Sequence, residues 1–220
     1  MVASGALVSI LDQSEEFPSR IWPILTPHLS FGSSGADTTC SMYGLVNRAI
    51  EGLVKEKFGA DAWERICLRA ELSNPQFVAM EAYDDAITYG LVAAAAAELS
   101  LEPAVVLESF GEYWTTYTID EGYGDLLSMM GSTLDEFLDN LDSMHARIAG
   151  TMPSLMPPSF EREANEDGSS LLHYRSERPG LAPMVLGLLK GLARRFSVGI
   201  SIEQIEGTTP GHVQFLIRPA

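Results

Sequence analysis

The chain has 220 residues, 46% of them apolar, and carries 30 acidic against 14 basic side chains for a net charge of −16. The apolar share is enough for one domain with a full core. The shortage of Lys and Arg excludes a nucleic-acid surface and disfavours an anionic membrane surface. Cys40 and Cys67 form no CxxC pair, so neither a disulfide framework nor a thiolate metal site is expected.

Residues 1–41 read as a tail or linker. Pro18, Pro23 and Pro27 recur there, and FGSSGADTTC (31–40) is a run of small residues. The opening apolar stretch lacks a basic lead and runs into Glu15 and Glu16, so no signal peptide is expected and the cytoplasm is the expected location. No apolar run reaches the roughly 18 residues that span a bilayer. Met42 is a candidate alternative start, with the folded domain expected over 42–220.

From Met42 the pattern is helical. Leu45, Ala49, Leu53 and Val54 form one stripe that ends at Gly59. A short helix is expected around 61–70 and an Ala-rich one within 83–101. Pro103 opens a fourth, broken at Gly122 and Gly124. Residues 131–150 form another, with Ser132 or Thr133 as N-cap and acids in its first turn. Then the periodicity changes. Residues 159–165 and 170–178 read as a hairpin around NEDG (165–168). Residues 179–196 form a helix, and 197–207 with 212–219 form a second hairpin. The expected class is α+β: a helical N-terminal half, then an antiparallel sheet with a packed helix.

Four histidines are candidates for chemistry. His28 lies in the tail. His173 is expected on the solvent side of its strand. His212 opens the last strand with no Cys nearby for a zinc site. His145 stands apart, late in an amphipathic helix after Phe137, Leu138, Leu141 and Met144. If 170–178 is extended throughout, Tyr174, Ser176 and Arg178 share a face. Two hydroxyls and a guanidinium suit a carboxylate ligand. A half-exposed strand with its polar residues outward explains the same spacing, and on spacing alone it is the better reading.

Tyr-x-Ser-x-Arg at 174–178, the upstream His145 and the intervening Pro-Ser-Phe at 158–160 resemble the haem nitric oxide/oxygen binding (H-NOX) family. MYGLVNRAIEGLV, YDDAITYGLVAAAA, FLDNLDSMH, PPSF and LLHYRSERPGL occur in the same order as in that family. The chain is most similar to the haem domain of soluble guanylate cyclase beta subunits. The resemblance runs from Met42 to the C-terminus and implies haem b between the two halves. It makes His145 the iron ligand and Tyr174, Ser176 and Arg178 the propionate clamp. Pro158 becomes the proline that presses on the porphyrin. Met184 takes the place of a tyrosine in oxygen-binding members, three residues before Gly187. Ile50 replaces a distal Trp, and Trp114 replaces a distal Asn while keeping an indole N–H. These apolar replacements imply a sensor of nitric oxide and CO that is not itself an enzyme. Its output would pass to a signalling partner such as a histidine kinase or a cyclic-di-GMP enzyme. The rival expectation is a haem enzyme turning over peroxide or nitric oxide. That activity calls for a distal acid or base, and Leu45, Val46, Asn47 and Ile50 offer no His or Arg there.

Overall fold

A computed structural model describes residues 41–152, 154–207 and 209–220. The expected tail, with His28 and Cys40, lies outside the described residues, Ser41 excepted. Ser41–Tyr43 is strand β1.

β1 pairs antiparallel with β2 (Ala82–Asp84), Met42 lying opposite Tyr83. The two strands lead into α1 (Gly44–Phe58) and α3 (Asp85–Leu99), with α2 (Ala60–Arg69) between them. α4 (Pro103–Thr118) starts on its proline as expected. The break at Gly122 is a π-helical turn, Ile119–Tyr123, in which Gly122 takes a φ of 95° before the short helix α5 (Gly124–Ser128). α6 (Leu134–Ala149) uses both expected capping residues. Thr133 Oγ1 accepts from the Glu136 N–H, and the Glu136 carboxylate accepts from the Ser132 N–H and hydroxyl.

The C-terminal part is a four-stranded antiparallel sheet in the order β3-β4-β6-β5. Its strands are β3 (Ser159–Ala164), β4 (Ser170–Arg175), β5 (Ile200–Glu206) and β6 (His212–Pro219). Helix α7 (Ala182–Arg195) lies between β4 and β5 in the chain. Among the described residues no single helix is long and apolar enough to cross a membrane.

Two apolar clusters form the core. One gathers α1–α4, including Ile50, Trp63, Ile66, Leu91 and Phe110. Cys67 is buried in it, and burial pushes its thiol up to about 11. The other joins α6, α7 and the sheet through Phe137, Leu138, Phe160, Leu172, Leu189 and Phe215. The two meet on the first turn of α7, where Met184 packs on the first cluster and Val185 lies in the second.

α4 and α7 cross at close range because each presents glycine to the other. A Cβ at Gly111 would strike the Met184 carbonyl oxygen, and one at Gly187 would strike that of Glu108. Neither atom can yield without moving a helix. Gly187→Ala should therefore destabilise the protein by about 1–3 kcal/mol, despite alanine's better helix propensity. Urea unfolding monitored by circular dichroism measures this, and Gly90→Ala, which meets nothing within 4 Å, should not be destabilising.

Candidate functional site

His145 sits in the last third of α6, where the helix passes over β3. Its ring stacks on Phe160, with centroids 5.6 Å apart and planes inclined by 28°. Phe160 in turn lies 5.4 Å from the ring of Tyr174 on β4. The Phe160 N–H donates to Asp142 Oδ1 at 3.1 Å, which fixes helix and strand beside the histidine. Nδ1 of His145 is buried and has no hydrogen-bond partner. Burial pushes its imidazole pKa down to about 4 against the opposing pull of Asp142. At neutral pH the ring is therefore neutral, as metal ligation requires.

The expected extended strand through Arg178 is shorter in the structure. β4 ends at Arg175, opposite His212 on β6. The last link across is the Ser176 N–H to the Gly211 carbonyl, 2.9 Å. The chain then bends through Pro179 and Gly180, the latter at a φ of 78°. The Arg178 N–H donates to Ser176 Oγ at 3.0 Å. A side-chain-to-backbone turn, not strand alternation, thus groups the three residues. The Ser176 hydroxyl and the charge of Arg178 both act on the Tyr174 hydroxyl. Both oppose the burial that raises its pKa.

Arg178 is buried. Its Nε donates to Asp85 Oδ2 at 2.7 Å, Nη2 to the Ser41 carbonyl at 2.9 Å, and Nη1 to the Met156 carbonyl. A guanidinium has five N–H donors. One on each terminal nitrogen therefore remains after these three bonds. Asp85, the first residue of α3, was not expected from the sequence. It lies 93 positions from Arg178, and an Asp in a first helical turn ordinarily signals capping. Asp84 performs that task here, accepting from the Ala86 N–H at 2.8 Å.

Ile50, Trp114 and Met184, from α1, α4 and α7, are gathered in the helical cluster. Ile50 is buried, while Trp114 and Met184 are half-buried. Pro158, also half-buried, directly precedes β3. His173 departs from expectation. It lies on the sheet face opposite Leu172 and Tyr174 yet is buried. His212 covers it, with Nδ1 of His173 3.0 Å from Nε2 of His212, and Gln214 lies 3.3 Å from the same Nδ1. Among the described residues no group of three or more His, Cys, Asp or Glu side chains is placed to hold a metal ion. The half-buried imidazole of His145, with its unpartnered Nδ1, and the cationic, hydroxyl-bearing turn beyond Phe160 and Tyr174 fit a porphyrin and its carboxylates.

Residues 43–204 match the model of a family described as haem-NO-binding. A soluble guanylate cyclase of Caenorhabditis elegans, gcy-34, is 34% identical over 172 residues, covering 76% of this chain and 25% of that protein. The soluble guanylate cyclase subunit beta-2 of Rattus norvegicus is 38% identical over 120 residues, covering 51% of this chain and 18% of its own length. The chain thus spans about a quarter or less of these curated relatives. The fold is that of an H-NOX protein from S. oneidensis solved in its Fe(II)NO state. The TM-score is 0.73 at 18% identity, over 81% of this chain and 99% of that one. An oxygen-binding H-NOX domain related to soluble guanylate cyclases gives a TM-score of 0.68 at 17% identity, over 80% and 93% of the two chains.

The Arg178–Asp85 pair yields a prediction independent of any cofactor. Arg178→Met strands a buried carboxylate and should cost about 3–5 kcal/mol of folding stability. Asp85→Leu with Arg178→Met removes both charges and should cost less than the single change. Denaturant unfolding of both variants measures the difference.

Proposed function

The chain belongs to the haem-NO-binding family, and from that membership we propose that it holds one haem b through His145 and senses nitric oxide there. The observation that carries this reading is the half-buried imidazole of His145, neutral and with its Nδ1 buried and unpartnered, linked through the rings of Phe160 and Tyr174 to the turn bearing Ser176 and Arg178. Haem supplies a ferrous iron that binds diatomic gases. Every other requirement falls to the chain's own side chains.

His145 offers its lone pair because burial keeps the ring unprotonated down to about pH 4. Tyr174, Ser176 and the two free N–H groups of Arg178 receive the propionates, giving short charge-assisted bonds. Pro158 bears on the porphyrin face from the start of β3. Ile50 and Met184 keep the distal side apolar. Bound O2 carries negative charge on its outer atom, and one neutral hydrogen bond to it contributes about 0.5–1.5 kcal/mol net. Ile50 and Met184 provide no such donor, whereas nitric oxide and CO need none. Trp114 carries the one N–H among the three distal side chains.

Signalling follows from the placement of His145 on a helix. A haem held by His145 would couple gas binding to α6, and a shift of α6 relative to β3 would change the surface it forms. A partner reads that surface: a guanylate cyclase module like those of the relatives, a histidine kinase or a cyclic-di-GMP enzyme. The chain itself then performs no catalysis.

Ligand choice is the test. The reduced protein should give nitrosyl and carbonyl absorption spectra, with the nitrosyl largely five-coordinate, and no long-lived oxy spectrum after the reductant is removed and air admitted. A persistent oxy complex would contradict selectivity for nitric oxide. Its loss in Trp114→Phe would then assign the stabilising bond to the indole.

A further inference from the structure

α6 turns one acidic face toward β3. Asp135, Asp139 and Asp142 follow at steps of four and three, which places them on one side of a helix. Phe160 and Arg162 are two apart on β3 and share its facing side. Two ties result. Asp142 accepts from the Phe160 N–H beside His145. Nearly one turn further back, Arg162 forks onto Asp139, with Nε to Oδ1 and Nη2 to Oδ2 both at 2.8 Å. Asp135 adds a looser contact to Nη1 at 3.4 Å.

This fork is unlike the other ion pairs on the domain's surface. Exposed pairs contribute little because water screens them and their side chains give up freedom. The Arg162 side chain is only 11% exposed although Asp139 is 50% exposed, and the geometry is bidentate. The fork holds the Asp139 carboxyl below its usual range and the guanidinium above its own. Both partners' shifts therefore point the same way. Asp139 precedes His145 by six residues, about 9 Å along the helix. Beyond His145, Ala146 and Arg147 are exposed, and Ile148 and Ala149 are only half-buried.

We propose that Asp139 and Arg162 are a positioning pair that pins α6 to β3 and so limits how far His145 can move. The proposal rests on the reading of His145 as the iron ligand. A histidine on a pinned helix cannot follow a bonded atom that is drawn away from the strand. A bond from such a histidine to a bound iron would therefore be under load and would release readily. With the fork removed, the helix follows and the bond persists.

The test uses the haem-loaded ferrous protein and the near-isosteric variants Arg162→Gln and Asp139→Asn, with the double variant. In each single variant the ratio of six- to five-coordinate nitrosyl should rise roughly fivefold, the factor given by about 1 kcal/mol of lost anchoring. The iron–histidine stretching band should move to higher frequency, and amide hydrogen exchange in residues 139–149 should quicken. The double variant should shift no further than either single one, as expected for two halves of one contact. Unchanged nitrosyl ratios and exchange in the single variants, or additive shifts in the double, would overturn the positioning role. A wild-type protein that takes up no haem would instead overturn the reading of His145. Hydrogen exchange would then still decide whether the pair anchors α6.

Discussion

The buried guanidinium of Arg178 is the interaction on which the site depends. It joins four parts of the chain: β1 through the Ser41 carbonyl, α3 through Asp85, the approach to β3 through the Met156 carbonyl, and its own turn after β4. A charge taken out of water is costly unless it is paired and fully bonded. Here the carboxylate of Asp85 supplies the pairing and two backbone carbonyls supply further acceptors. The helical part and the sheet are thereby tied at the place where propionates are proposed to bind. The proposed propionate binding and the stability of the domain thus draw on the same side chain.

The two apolar clusters divide the remaining work. The sheet cluster carries Phe160 and Tyr174, against which His145 is oriented. The helical cluster carries Ile50, Trp114 and Met184, the residues proposed to line the ligand side. α7 contributes to both, and its glycine-mediated approach to α4 fixes where Met184 stands relative to Trp114. Under the proposed function, helix packing would govern ligand choice as much as the identity of these residues. A larger residue at Gly111 or Gly187 would move Met184 without altering it.

Much of this was legible in the sequence because its signals are local. Apolar periodicity, capping residues and the Pro103 start gave the helices nearly to the residue, and alternation gave both hairpins. The roles of His145, of Tyr174, Ser176 and Arg178, and of Ile50, Trp114 and Met184 came from the family resemblance and belong to the proposal. Long-range pairing was not legible. Asp85 reads as a first-turn helix acid until the fold brings Arg178 to it. Arg162 and Asp139 are ordinary surface charges until α6 lies across β3. β4 was expected to run to Arg178, but its partner strand begins at His212, and the Pro179–Gly180 bend takes over. His173 was expected in solvent because alternation gives the face and not what covers it. His212 and Gln214, about forty residues on, provide the cover.

The central claim is that His145 supplies the chain's bond to iron. Resonance Raman spectroscopy of the ferrous, ligand-free protein tests it directly. The wild-type protein should show an iron–histidine stretching band. His145→Gly should lack that band, and added imidazole should restore an iron–imidazole band in the cavity left by the side chain. An iron–histidine band that persists in His145→Gly without imidazole would place the ligand on another residue and contradict the account.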